Sequence, residues 1–239
     1  SLSMYYRQFS MAISNVFGPR IKKIVATTND NKTLTDVMIK VGRAQFIVLS
    51  VVAVGFLFCG REFCCLWAGY DYADSYLIAV ALMIPSTIPL IQNVGISILT
   101  ARNKHKFRSV AYTFIALGNA ALSIPLCQIM QGLGCAIGTG ISMIVGNGFV
   151  INWYYKKLGI DIGRFWRSIF SLAKGLIPMV FVGIILSCIA FDYSWIDLFL
   201  RIILLIIAFV VGMVWLGLND DERKTIKSLC IKAKNKCLR

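Results

Sequence analysis

Acidic residues and histidine are scarce: the 239-residue chain has 11 Asp and Glu and a single His. No acid lies in the middle of an apolar run, and His105 stands alone in the basic stretch Arg102-Asn103-Lys104-His105-Lys106. Hydrolytic or metal-assisted chemistry needs such groups in clusters, so the sequence reads as that of a non-enzyme without a metal centre. The alternation of apolar and polar residues that marks a barrel strand is also missing. Runs such as Ile202 to Val211 are apolar on every face. Ser1-Leu2-Ser3 opens inside a helical pattern without an initiator Met or a signal-peptide pattern, which leads us to expect a piece of a longer protein. Charge is sparse overall, 15% of residues, where soluble domains carry roughly a quarter.

What fills the chain is apolar: 58% of residues, with a mean hydropathy of +0.73. A bilayer core about 30 Å thick takes roughly 20 apolar residues per helix. By that measure the sequence predicts an all-α integral membrane protein of about seven transmembrane helices, over residues 1–17, 42–60, 75–100, 107–130, 133–155, 168–191 and 196–218. The formal charge of +14 would suggest nucleic acid in a soluble protein, but here Lys and Arg are confined to the gaps between spans, and we expect no nucleic-acid partner. Twenty-two of the 25 Lys and Arg fall in alternate gaps and in the tail. The opposite gaps hold Glu62, Asp71, Asp74, Asp192 and Asp197 with only Arg61 and Arg201. The positive-inside rule therefore places the basic gaps and the C-terminus in the cytoplasm.

Arg61 to Ser75 carries Phe63, Trp67, Tyr70 and Tyr72, as in a segment lying at the outer interface. In the tail, Asn219-Asp220-Asp221-Glu222 resembles a helix start, and Ile226, Leu229, Cys230, Ala233 and Cys237 then share one face among lysines. That is either an interfacial helix on anionic lipid or a frayed basic tail. The eight cysteines have no metal-ligand spacing; they read as small apolar packers, and adjacent Cys64 and Cys65 are poor disulfide partners.

Three polar features interrupt the spans. Ser3, Arg7, Ser10 and Ser14 fall at spacings of four, three and four, on one face of the first helix. An ionisable group among apolar residues usually faces a cavity or a partner, unless Arg7 lies near enough to the helix end to snorkel outward. The third span puts Ser86, Asn93, Ser97 and Thr100 on roughly one face, with Pro85 and Pro89 as a hinge or a static kink. The fifth repeats small residues every four positions, at Gly134, Gly138, Ser142 and Gly146, a face for close helix packing. Gly132-Leu133-Gly134 is not a dinucleotide loop, for no strand precedes it and no acid follows.

Several patches in order resemble the multidrug/oligosaccharidyl-lipid/polysaccharide (MOP) exporter superfamily, most closely its Wzx-type O-antigen polysaccharide flippases. They are Leu66-Trp67-Ala68-Gly69-Tyr70 with Ala73, Leu99-Thr100-Ala101 before Lys104 and Lys106, Ala116-Leu117-Gly118-Asn119 with Leu122, and Gly132 to Thr139 with Ser142. The resemblance covers about residues 60–145; the other spans match in spacing and hydropathy. It implies that residues 1–155 are the second lobe of a MATE-like flippase without its first helix, 156–218 an extra C-terminal helix pair, and 219–239 a cytoplasmic tail.

The implied activity is translocation of undecaprenyl-pyrophosphate-linked oligosaccharide from the cytoplasmic to the periplasmic leaflet of the bacterial inner membrane. No cofactor is implied beyond a coupling ion, H+ or Na+. Arg7 would pair with pyrophosphate, Gln8, Asn93 and Asn119 would meet sugar hydroxyls, and Ser10 and Ser14 would line the same cavity. Lipid-linked oligosaccharide, anionic lipids and polysaccharide polymerase machinery are the implied partners. Alternatives are a lipid II flippase or a MATE-type drug or metabolite exporter. A polymerase or ligase would show a large outer loop bearing Arg and His, and a scaffold would leave the polar stripes unexplained.

Overall fold

A computed structural model of the chain describes residues 2–28, 30–102, 105–189, 194–219 and Glu222. Every regular element among them is helical. The tail helix expected over 219–239 lies, apart from Asn219 and Glu222, outside the described residues, as does Asp192 in the gap after the sixth expected span.

Helix α1 spans Leu2–Thr27 and α2 spans Asn31–Ala68. α2 starts well before the apolar run at residue 42 because Asp30 caps it. The carboxylate accepts from the Thr33 hydroxyl (2.6 Å) and from the backbone N–H groups of Lys32 (3.0 Å) and Thr33 (3.1 Å). Led by the Thr33 hydroxyl, these bonds hold the Asp30 carboxyl below its ordinary range. At 1.5 Å per residue, the 38 residues of α2 reach about 57 Å, nearly twice a bilayer core. The helix stops at Gly69, whose φ of 99° is in the left-handed region that favours glycine. Trp67, expected in a segment lying along the interface, instead stands on the end of α2, stacked on Phe63 at 5.8 Å. Tyr70–Tyr72 add one 3-10 turn.

The third expected span arrives in two pieces, α3 (Ser75–Ile91) and α4 (Asn93–Ala101). The fourth and fifth form a hairpin. α5 (His105–Met143) reverses at Gln131 (φ 50°, ψ −130°), and its second leg continues through a π-helical stretch, Ile144–Ile151, into α6 (Asn152–Lys157). The register of the two legs is set by Phe107 stacked on Tyr154 at 3.9 Å and by the Tyr112 hydroxyl donating to Asn147 Oδ1 at 2.6 Å.

α7 (Ile162–Ala173) is a short amphipathic helix capped by Asp161, which accepts from the Arg164 N–H at 2.9 Å. It buries Ile162, Phe165, Ile169 and Leu172 and leaves Arg164 and Arg167 exposed. α8 (Ile177–Ser187) and α9 (Trp195–Gly212) follow, the latter ending in a π-helical turn, Met213–Gly217. The sixth expected span, 168–191, is therefore divided between the end of α7 and α8. Arg201, counted among the outer-gap charges, is buried in the second turn of α9. There it donates to the carbonyls of Leu186 (2.8 Å) and Ile189 (3.1 Å), closing the C-terminal end of α8, and pairs with Asp197 at 3.2 Å.

Among the described residues, five helical runs are long and apolar enough to cross a membrane: Asn31–Ala68, Tyr70–Ile91, Lys106–Lys157, Ile162–Ser187 and Trp195–Gly217. Lys106–Lys157 holds both of the spans expected at 107–130 and 133–155. α1, expected to span over residues 1–17, is not among the five, diluted by Ser3, Arg7, Gln8 and Ser10. Large apolar side chains face outward along these helices, with Phe114, Ile129, Ile196 and Trp215 at 70–79% exposure. Water would not tolerate so continuous an apolar exterior, whereas lipid solvates it, as in a multi-pass membrane protein.

Among the described residues, two cores lie inside. One gathers Met38, Leu49, Ile91, Ile98, Ile151, Tyr155 and Phe165; the other gathers Cys59, Leu172, Met179, Leu205, Phe209 and Met213. α2 contributes to both.

Candidate functional site

The polar stripe of α1 divides in the structure. Arg7 and Gln8 are exposed, while Ser10 is fully buried and Ser14 half-buried. What Ser10 and Ser14 meet is a side chain that the sequence reading passed over, Gln45 of α2. Its Nε2 donates to Ser14 Oγ (2.8 Å), Ser10 Oγ (3.1 Å) and the Ser10 carbonyl (3.4 Å). Asn93, first residue of α4, adds Nδ2 at 3.4 Å from both serine hydroxyls. Ser10 Oγ in turn donates to the Leu90 carbonyl at 3.3 Å. One turn earlier, Tyr6 is joined to Thr87 Oγ1 at 2.6 Å and donates to the Leu49 carbonyl at 3.3 Å. The result is a seam of hydroxyls and amides where α1, α2 and the α3–α4 junction meet. Gln45 Oε1 is buried and finds no donor among the described residues, so the seam keeps one unmet acceptor.

The junction follows from the prolines. Pro85 and Pro89 cannot donate backbone hydrogen bonds to the carbonyls four residues earlier, and the ladder gives way three residues after Pro89, at Gln92. There the Gln92 N–H reaches only Pro89 O (3.3 Å), and Gly95 N–H takes Gln92 O (2.9 Å). The Gln92 side chain crosses to the hairpin, donating to Asn152 Oδ1 at 2.8 Å, and Asn152 donates to the Gly148 carbonyl within the π-helical stretch. Two interrupted helices are thus tied together by one buried amide pair. Replacing Gln92 with Leu strands Asn152 Oδ1 and is expected to cost about 1–3 kcal/mol, while the Gln92→Leu, Asn152→Leu double variant recovers much of it. Unfolding in bicelles measures both.

Asn119 stands apart from this seam. Its Oδ1 accepts from Ser123 Oγ (2.8 Å) and Thr139 Oγ1 (3.3 Å), bridging the legs of the hairpin. The small-residue face of the second leg lies against the first: a Cβ at Gly134 would collide with the Leu126 carbonyl, at Gly138 it would lie 2.5 Å from Ser123 Oγ, and at Gly146 it would strike Ile115. Ser142 is buried, its hydroxyl without a partner among the described residues. Between α1 and α9, over α2, runs an open apolar groove of about 390 Å³ lined by Leu2, Tyr5, Phe9, Phe56, Ile202 and Ile206.

In the first half of α2, two residues before Gln45, Arg43 is 2% exposed and makes the densest polar contact of the described chain. It grips Glu222 as a fork, Nε to Oε1 and Nη2 to Oε2 at 2.6 Å each. It also donates to the carbonyls of Ser168 (2.7 Å) and Gly217 (3.1 Å). Glu222 Oε2 accepts the Asn219 N–H at 3.0 Å as well, the reach-back of a capping box.

The lone amides at Gln45 and Gln92 were detectable as polar interruptions of apolar runs. The pairing of residues 43 and 222 was not, because nothing local in sequence links them. Among the described residues no group of three His, Cys, Asp or Glu could hold a metal. Compared with models of known families, with curated proteins and with solved structures, the chain gives no match in any of the three.

Proposed function

We propose that this chain is part of a polysaccharide flippase of the MOP type, its helices α1–α6 belonging to the second lobe and α8 and α9 to an added C-terminal pair. It would pass a lipid-linked oligosaccharide across the bacterial inner membrane, with the C-terminus cytoplasmic. The observation that carries this reading is the pair of interrupted helices, broken at Gln92 and π-helical over Ile144–Ile151, that meet at buried amides. Backbone irregularity within membrane spans is tolerated where protein or a water-filled cavity meets the freed groups, and it recurs where transporters bind substrate.

Two further features fit. Arg7 is exposed on a helix that packs its other face into the bundle, and a charge so placed needs a polar partner that the acyl chains cannot supply. A pyrophosphate is such a partner, matched by the guanidinium fork. The apolar groove between α1 and α9 has the lining that a polyprenyl chain would require. The seam changes the distribution of roles expected from helix-face spacing: Ser10 and Ser14 hold helices together, and Arg7, Gln8 and half-buried Asn93 remain for substrate.

In the intact protein, Arg7→Ala is expected to lower export of surface polysaccharide by about tenfold or more, the equivalent of one charge-assisted hydrogen bond, at unchanged membrane abundance. Arg7→Lys keeps the charge without the fork and should fall between. Export at the wild-type level in both variants, measured by surface polysaccharide per cell, removes Arg7 from the site.

A further inference from the structure

The reversal at Gln131 brings together two side chains that the sequence reading treated only as packers. Cys127, three residues from leaving the first leg, and Cys135, early in the second, come together across the hairpin at one depression. Both are free, both line the same shallow depression, and neither is shut away from the surface: Cys135 is exposed and Cys127 partly so. The backbones are unusually close at this level, since a Cβ on Gly134 would collide with the Leu126 carbonyl and lie 2.9 Å from the Cys127 nitrogen. A disulfide needs Cα atoms within about 7 Å, which calls for backbones as close as those that Gly134 brings together beside Cys127. The remaining described cysteines are not so placed: Cys59, Cys64 and Cys65 share the helix α2, and Cys188 is in the turn after α8.

We propose that Cys127 and Cys135 form an intramolecular disulfide in the mature protein, a covalent staple across the mouth of the α5 hairpin. The proposal rests on the orientation given above, which turns Gln131 away from the basic loops and toward an oxidising compartment. The oxidant is a disulfide, either a thiol-oxidising protein or oxidised glutathione. The more exposed thiol, Cys135, loses its proton and attacks one sulfur of that disulfide, expelling a thiolate. Cys127 then attacks the Cys135 sulfur of the mixed disulfide and expels the second thiolate. Two protein thiols are oxidised and the oxidant is reduced to two thiols, its expelled thiolates taking up the two protons that the cysteines release.

The test is differential alkylation of the full chain, acid-quenched in cells and denatured with N-ethylmaleimide, then reduced and treated with deuterated N-ethylmaleimide before peptide mass spectrometry. The expected result is that Cys127 and Cys135 carry only the second label, and that Cys127→Ser moves Cys135 entirely to the first. In parallel, purified chain in detergent is given oxidised glutathione. First label on both cysteines in cells, with no closure by glutathione, overturns the proposal on geometry. First label in cells with closure by glutathione overturns it on compartment and removes the orientation on which the proposed function stands.

Discussion

Arg43→Ala is expected to destabilise the chain by about 3 kcal/mol, the lower end of the cost of breaking a buried ion pair because Glu222 is 28% exposed and water can take up its charge. The loss has several parts. The Glu222 carboxylate loses both fork bonds, and the Ser168 and Gly217 carbonyls lose their donor. Arg43→Lys rescues little, since an ammonium cannot reach four acceptors in a plane. Glu222→Gln leaves a nearly buried guanidinium facing a neutral amide and should also destabilise, though less than Glu222→Ala. Thermal unfolding in bicelles, followed by tryptophan fluorescence, ranks the four variants; wild-type stability in Arg43→Ala would mean that the contact contributes nothing.

The same contact has a pH signature. Burial pushes the Glu222 carboxyl up, but the hydrogen bond from Arg43, the Asn219 N–H and the Arg43 charge together outweigh it and hold the group below its ordinary range. Because the folded value lies below the unfolded one, the stabilisation is complete above the ordinary glutamate range and disappears as the pH falls through the depressed value. Stability should therefore be flat from neutral to mildly acidic pH and drop below that, with the drop absent in Glu222→Gln.

A comparably large effect is expected at Gly134. A methyl group there meets the Leu126 carbonyl and the Cys127 nitrogen, both backbone atoms that cannot rotate aside. Gly134→Ala should cost about 2–3 kcal/mol, the upper part of the overpacking range, even after the helix gains from losing a glycine. Gly134→Val should separate the legs enough to lower the yield of folded protein. Gly118, on the first leg, supplies the control: nothing lies within 4 Å of a Cβ built there, so Gly118→Ala is expected to stabilise by about 0.5–1 kcal/mol. Equal effects at the two positions would show that helix propensity, and not the approach of the legs, governs the hairpin.

The helical class, the apolar spans and the polar interruptions were legible because each is written in consecutive residues. Pro85 and Pro89 announced a disturbance in the third span, and the structure displaces it to Gln92, since a missing N–H is felt where the next turns fail to close. Asp30 and Asp161 are recognisable caps, yet the extents of α2 and α7 were missed because apolar runs, not caps, set the expected boundaries. Ser10 and Ser14 pointed to a polar neighbour but not to which one. Helix-face arithmetic fixes an angle on one helix and says nothing of the helix opposite, so a seam closed by Gln45 and Asn93 reads the same as a stripe facing a cavity. Arg43 and Glu222 lay beyond reach for a further reason. Each has an ordinary local explanation, a basic loop residue and a helix start, and only the fold brings them together.

α2 belongs to both cores, lies under the apolar groove near its middle, touches the seam through Gln45, and is held two residues earlier, at Arg43, by the contact with Glu222. In mechanical terms it is a beam shared by two bodies and pinned about a third of the way along, at Arg43. A rotation of α1 that opened the seam would apply a torque to this beam, and the α8–α9 pair, packed along its other side, would swing with it. Motion in either group would be passed on through a rod about 57 Å long, with the short α7, which also reaches both cores, as a second link.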